Sequence, residues 1–283
     1  MKFRYLFPIA FIVMFFTSMI EVYPQISNPL APTVETSVIY LGPVIGYNKS
    51  MHSVDLASFA MYPNCPYFTN GDDNGFFVGM SYEYPIGGLV NSRHSIIVRA
   101  LYNTMPASFS VENNDEYPSL VDIPGGYEIV KTSTTNKLKV DYSMITAEVM
   151  YKFNVLDNFG LAVTVGPTFD FALTKTFTQR LILNGPPEVQ FRELSEAEQQ
   201  KMNIHIIRYE DNKRTIVVND GDIPSSNSFR MGIKAGIQYT QEMPGGFYLV
   251  PAIYYNFGVT KLSSAEDWRV DAFQVGVDIR FAL

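Results

Sequence analysis

Residues 268–283 read WRVDAFQVGVDIRFAL, and their alternation decides between folds. Phe273, Val275, Val277, Ile279, Phe281 and Leu283 share one parity, while Gln274, Gly276, Asp278, Arg280 and Ala282 share the other. Side chains alternate faces along a strand, so this is a ribbon with one apolar and one polar face. Two architectures use such ribbons. A water-soluble sandwich or lipocalin-like barrel turns the apolar face inward, and a transmembrane barrel turns it outward to lipid.

Composition leans toward β structure: the chain is 47% hydrophobic and 14% aromatic, with 18 Tyr and 21 Phe in 283 residues. It begins MKFRYLFPIAFIVMFFTSMIEVYPQ, with Lys2 and Arg4 ahead of an apolar run from Tyr5 to Ile20. That pattern predicts a signal peptide over 1–25, cleaved near 20–27, and a barrel domain over 26–283. The chain left after 25 residues carries 19 basic and 27 acidic side chains, a net charge of about −8, which argues against nucleic acid as a partner. Cys65 is the one cysteine, so there is no intramolecular disulfide, and its distance from the leader excludes a lipoprotein start. After the leader no apolar stretch is long enough to span a bilayer as a helix; a membrane location would be through strands.

Alternating segments recur along the chain. Ile39, Leu41, Ile45 and Tyr47 oppose Gly42, Gly46 and Asn48; Phe76 to Tyr84 oppose Gly79, Ser81 and Glu83; Ile96 to Tyr102 oppose Ser95, Arg99 and Asn103. The fourth segment sets Ile145 to Phe153 against Thr146, Glu148 and Lys152. Its upstream part, Leu138, Val140 and Tyr142, has the opposite parity, which predicts a bulge or strand start near Ser143. Phe159 to Phe171, Phe229 to Tyr239, FYLVPAIYYNFGV and the closing ribbon bring the count to eight. Residues 105–138 have enough β-branched character to extend a hairpin beyond the wall, and whether they add wall strands to make ten stays open. SEAE at 195–198 resembles a capping box, and NIHIIRYEDNKRTIVVND a hairpin turning at Asp211 and Asn212.

Connections are long after the first, third and fifth ribbons and short after the second, fourth and sixth, as in bacterial surface barrels. Glu83, Arg99, Glu148, Lys152, Asp170, Arg230, Lys234, Asp278 and Arg280 all lie on the parity opposite the apolar set, together with repeated glycines. A narrow eight-stranded interior needs small residues, and four acids with five bases suit an internal ion-pair network. Aromatic residues gather at segment ends, at Tyr84, Tyr151, Phe153, Phe159, Phe247 and Phe281, as an interfacial girdle would. The expected fold is therefore all-β: an antiparallel up-and-down transmembrane β-barrel of eight strands with long extracellular loops.

The leader, the eight ribbons, the alternating connections and the ending DAFQVGVDIRFAL resemble the small outer-membrane β-barrel proteins of Gram-negative bacteria. Among them the chain is most similar to the porin-T-like and OmpA-type eight-stranded barrels of Bacteroidota and Chlorobi. The resemblance covers residues 36–283. It implies outer-membrane lipid and lipopolysaccharide as surroundings, periplasmic termini, a monomer, and recognition by the barrel-assembly machinery. In that family the last strand commonly ends in an aromatic residue. Here Phe273, Phe281 and Leu283 form the expected insertion signal, with Phe281 two residues before the end. The resemblance fixes no ligand, and the chain stops where an OmpA-type protein often continues into a peptidoglycan-binding domain.

Chemistry has few candidates. Some barrels of this size are lipid A deacylases with a His, Ser and acid set near the outer rim, so His52 and His205, both expected in loops, are the histidines to consider, while His94 falls at the opposite end. GDDNG at 71–75 and NDGDIP at 219–224 are acidic turns that lack the spacing of a calcium loop. YPNCPYF in the first loop offers an aromatic contact surface or loop packing. No cofactor, metal or catalytic set is expected. The leading function is a non-enzymatic outer-membrane protein with a closed, charged interior, giving envelope structure or surface binding; a small pore and a lipid A-modifying enzyme are the alternatives.

Overall fold

The computed structural model describes residues 38–54, 68–87, 92–123, 126–156, 160–202 and 205–283. The leader over 1–25, Cys65, the YPNCPYF stretch as far as Tyr67, and Phe159 lie outside them, while Phe68, the last residue of that stretch, is buried with its ring against Phe109. Twelve strands follow in order: β1 (Tyr40–Ser53), β2 (Asn70–Pro85), β3 (His94–Thr104), β4 (Ala107–Ile123), β5 (Gly126–Asn154), β6 (Leu161–Asn184), β7 (Arg208–Glu210), β8 (Thr215–Asp222), β9 (Phe229–Tyr239), β10 (Gln241–Met243), β11 (Phe247–Gly258) and β12 (Arg269–Ala282). Among the described residues one helix, α1 (Glu196–Met202), precedes β7.

Antiparallel pairing runs β1–β2–β3–β5–β6–β9–β11–β12 and returns to β1, from Tyr40↔Ala282 to Ser53↔Arg269. The sheet closes on eight wall strands, so no wall edge is left open. Residues 107–123 and 126–142 add no strand to the wall, and β4 meets it only where Ser108 pairs with Asp72 of β2. β4 pairs with the first half of β5, and β8 and β7 add to the second half of β6. The result is a sheet, β4–β5–β6–β8–β7, standing on the barrel at the end where the long connections gather.

Every wall strand turns an apolar side chain outward: Ile45, Val78, Val98, Val149, Val163, Ile233, Ile253 and Val275 are all exposed. On β12 the outward apolar run extends from Phe273 to Phe281, about 27 Å along the strand and about 20 Å along the axis at a tilt of about 40°. Aromatic rings mark both margins. Phe76–Tyr102 and Phe171–Phe229 meet at 5.9 and 5.3 Å toward the loop end, and Phe247–Phe281 and Tyr40–Tyr248 at 6.2 and 5.3 Å toward the termini. Height and girdles match the apolar band of an outer-membrane barrel, about 25 Å tall.

Above the loop-end girdle the polarity inverts. On β12 the outward Arg269 and Asp271 are polar and the inward Val270 and Ala272 are buried. On β1 the outward apolar row ends at Tyr47, and Lys49 follows it. β5 inverts in the same way, its even-numbered side chains inward from Asn136 to Lys152, and its neighbour β6 carries a bulge at that level: Ser143 pairs with Thr174 and Met144 with Ala172, leaving Leu173 extra in β6. Beyond it Leu138, Val140 and Tyr142, out of phase with the outward set below, are buried. They join Phe109, Phe177 and Trp268 in one apolar cluster over the barrel mouth.

The capping box forms around α1. Ser195 and Glu198 exchange bonds, with Ser195 N donating to Glu198 Oε2 at 2.9 Å and Glu198 N to Ser195 Oγ at 3.4 Å. The β7–β8 hairpin turns through Asp211, Asn212 and Lys213, all at positive φ, a conformation Asp and Asn tolerate better than most side chains.

Candidate functional site

Two places concentrate polar chemistry: the lumen inside the outward apolar band and the mouth above it. All nine charged residues of the polar parity point into the lumen and are 5% exposed or less. Glu83 holds both Lys152, at 2.8 Å, and Arg280. Asp278 holds Arg280 at 2.6 Å and Arg99 at 2.8 Å. Glu148 holds Lys234 and faces Arg99 at 3.7 Å. Arg230 and Asp170 pair at 2.8 Å, and Thr146 Oγ1 donates to Asp170 at 2.7 Å.

Several of these contacts reach past the neighbouring strand. Arg99 on β3 and Asp278 on β12 are separated by two wall strands, so their bond cuts across the interior, and that from Arg280 on β12 to Glu83 on β2 passes over the one strand between them, β1. Arg99 also donates to Tyr254 Oη at 2.7 Å. A buried charge is tolerable only when paired and hydrogen-bonded, which is why these residues interlock.

The inward face also carries apolar side chains that alternation alone did not single out. Ile97, Leu101 and Met150 are buried between the charges, and Phe77 lies inward beside its outward neighbour Phe76. The signal for Phe77 is the pair Gly46 and Gly276. A Cβ on either would stand 2.2 or 2.6 Å from the ring tip, so these glycines leave the space that the ring fills. Lys234 Nζ sits 5.8 Å from that ring and 5.4 Å from the Tyr254 ring.

At the mouth the expectation of a loop histidine is corrected. His52 belongs to β1, because strand pairing continues past the apolar band to Ser53, and it is 2% exposed. Trp268 Nε1 donates to His52 Nδ1 at 3.0 Å, and His52 Nε2 reaches Met105 O at 3.0 Å. The ring is then the neutral tautomer with its proton on Nε2. Phe109 packs edge-on against both His52 and Trp268.

GDDNG is likewise no turn. Gly71 to Gly75 lie in β2 paired with His52 to Asn48, and Asp72 pairs with Lys49. In NDGDIP, Asp220 is taken by Arg208 at 2.8 Å. Among the described residues no group of three or more His, Cys, Asp or Glu is placed to hold a metal ion. His94 stacks on Tyr151 at the terminal girdle, and His205 lies between α1 and β7, far along the chain from His52. Phe273, Phe281 and Leu283 are exposed on the outer wall of β12 and just beyond it.

The sheet above the barrel has its own framework. Arg214 donates to the carbonyls of Val189, Gly185 and Leu183 at 2.8, 3.0 and 3.2 Å and so ties the β6–α1 connection to β8. Arg208 bridges Glu210 and Asp220, and Arg180 reaches Glu210 at 3.0 Å. Arg208 and then Arg180 hold the Glu210 carboxyl below its usual range, and Arg208 does the same for Asp220.

No family model matches the chain, and neither does any curated protein. Solved structures do. Ail, the attachment invasion locus protein of Yersinia pestis, is similar over 86% of this chain and 99% of its own, at 14% identity and a TM-score of 0.32. Neisserial surface protein A is similar over 86% and 97% at 13% identity and 0.34. Outer membrane protein AlkL is similar over 94% and 97% at 13% identity and 0.34.

Proposed function

We propose that this is a non-enzymatic outer-membrane barrel, of the porin-T-like and OmpA-type kind, whose closed lumen passes no solute. Its tall sheet and long connections would face outside the cell, giving envelope structure or surface binding. The observation that carries this reading is the inversion of polarity on strands that run through both levels. An apolar outer wall of the right height, ringed by aromatics, sits directly below a segment whose apolar side chains turn inward. Water explains the upper level and cannot explain the lower one.

The termini then lie in the periplasm, residues 1–25 act as the export signal, and lipopolysaccharide surrounds a monomer. Catalysis is disfavoured because both ring nitrogens of His52 are engaged inside the apolar cluster. Conduction is disfavoured by the ion pairs inside the lumen.

Denaturing gels of detergent-extracted protein, unboiled and boiled, test the reading. A closed membrane barrel gives a heat-dependent mobility shift; free solubility without detergent and no shift would overturn it. Phe273, Phe281 and Leu283 are proposed as the insertion signal. Deleting Phe281 and Leu283 together should lower the heat-shifting form in the outer membrane, and unchanged levels would reject that role. Open-channel conductance in a planar bilayer should be absent, and lipid A mass should not change on expression.

A further inference from the structure

Followed from partner to partner, the ion pairs of the lumen form one chain. Lys152 meets Glu83, Glu83 meets Arg280, Arg280 meets Asp278, Asp278 meets Arg99, Arg99 meets Glu148, and Glu148 meets Lys234. Cation and anion alternate with a lysine at each end. Four cations therefore share three carboxylates, and each carboxylate already serves two of them. Asp170 cannot supply the missing charge, since it is committed to Arg230. A surplus unit charge in so buried a place is strongly unfavourable without a counter-ion.

Hydrogen bonding shows the same surplus independently. Among buried side-chain atoms without a hydrogen bond, Arg99 Nη1, Arg280 Nε, Gln238 Nε2 and Asn256 Nδ2 only donate, and Arg99 Nη1 has only the 3.7 Å approach of Glu148 Oε2. Glu148 Oε2 and Gln274 Oε1 only accept, and Thr240 Oγ1 can do either. Three of the four donors belong to one knot. Arg99 and Arg280 both donate to Asp278, and Gln238 Oε1 lies 3.5 Å from Arg280 Nη2 and from Tyr254 Oη. The fourth, Asn256, is the register partner of Lys234 at the end of the chain.

We propose that the lumen binds a small monovalent anion, chloride under ordinary salt conditions, at the knot of Arg99, Arg280 and Gln238. The anion balances the fourth cation and accepts from donors that the protein leaves without acceptors. It acts as a structural counter-ion, so the site is independent of what the loops bind. The competing solution is a chain neutralised by loss of a proton from Lys152 or Lys234, which needs no anion.

Two measurements on the full-length folded protein separate these. Crystals grown with bromide in place of chloride should show an anomalous peak within hydrogen-bonding reach of Arg280 and Gln238. In lipid, unfolding measured in chloride and in gluconate at equal ionic strength should differ. The unfolding equilibrium constant should fall by 1 + [Cl⁻]/Kd, about tenfold when chloride is ten times Kd. Lys152→Gln makes the chain neutral and should flatten that titration; if it does not assemble, Lys234→Gln serves the same purpose. No bromide peak, together with identical unfolding of the wild type in the two salts, would overturn the proposal in favour of a neutral lysine.

Discussion

The lower and upper halves of β5 differ more than two unrelated strands would. Below the bulge, Ile145, Val149 and Tyr151 face outward while Thr146, Glu148 and Lys152 are buried; above it, Leu138, Val140 and Tyr142 are buried while Lys139 and Asp141 are exposed. The strand is continuous and keeps one neighbour, β6, along both halves. What changes is the medium outside. Residues sort by the contrast between the two faces, so an apolar outside drives charges inward and a watery outside drives them back out. The bulge and the β12 inversion fall at one level because they mark one boundary.

The largest effect that tests this contrast comes from the lumen. Asp278→Ala leaves Arg99 and Arg280 short of a carboxylate where water does not reach. It should cost about 3–5 kcal/mol of folding stability, measured by urea unfolding from lipid. Asp271→Ala, on the same strand but above the boundary, loses the bonds from Gly258 N at 2.8 Å and Tyr255 Oη at 3.1 Å, worth about 1 kcal/mol each. Equal costs at the two positions would mean that the lumen is as wet as the upper wall.

A smaller effect probes the outer surface. Val149→Arg places a charge in the outward apolar band and should cost about 2–4 kcal/mol if lipid lies there. The reverse change above the bulge, Lys139→Val, should move stability by no more than about 0.5 kcal/mol, since Lys139 is exposed and its partner Asp141 is also outside. A tolerated Val149→Arg would break the comparison, because it would put water against both halves.

The wall was legible from sequence because period-two alternation survives wherever a strand separates two media. The nine charges could be assigned to one face for the same reason; the register does shift at Ser143, but the extra residue is Leu173 in β6, and the parity change read in β5 is a change of residue type on faces that stay in phase. Their pairing could not be read, because it depends on which strands face each other across the lumen, as with Arg99 and Asp278. Sequence also stopped the strands too early. His52 and GDDNG were assigned to connections because polar residues end an apolar ribbon. In the structure they only end the apolar band while the ladder continues to Asn70↔Ser53. The mouth cluster was hidden because Trp268, Phe109 and His52 come from distant segments and share no local pattern.

The smallest effect concerns the top of the sheet, where ion pairs are partly exposed and weak at any pH. β7 is three residues long and hangs on β8 and on the pairs from Arg208 to Glu210 and Asp220 and from Arg180 to Glu210. Both carboxyls are held below their ordinary values, chiefly by hydrogen bonds from Arg208. A lowered folded-state value means that the stabilisation is complete above the unfolded value, about 4 for either carboxyl, and disappears as pH falls through the depressed one. Hydrogen exchange at the amides of 208–210 should therefore be flat from pH 7 to about 5, once corrected for its intrinsic rate, and quicken below about 4. Arg208→Gln should quicken it at neutral pH and remove the acid step. An unchanged step in that variant would assign the loosening to other carboxylates and leave Arg208 a bystander on the outer face.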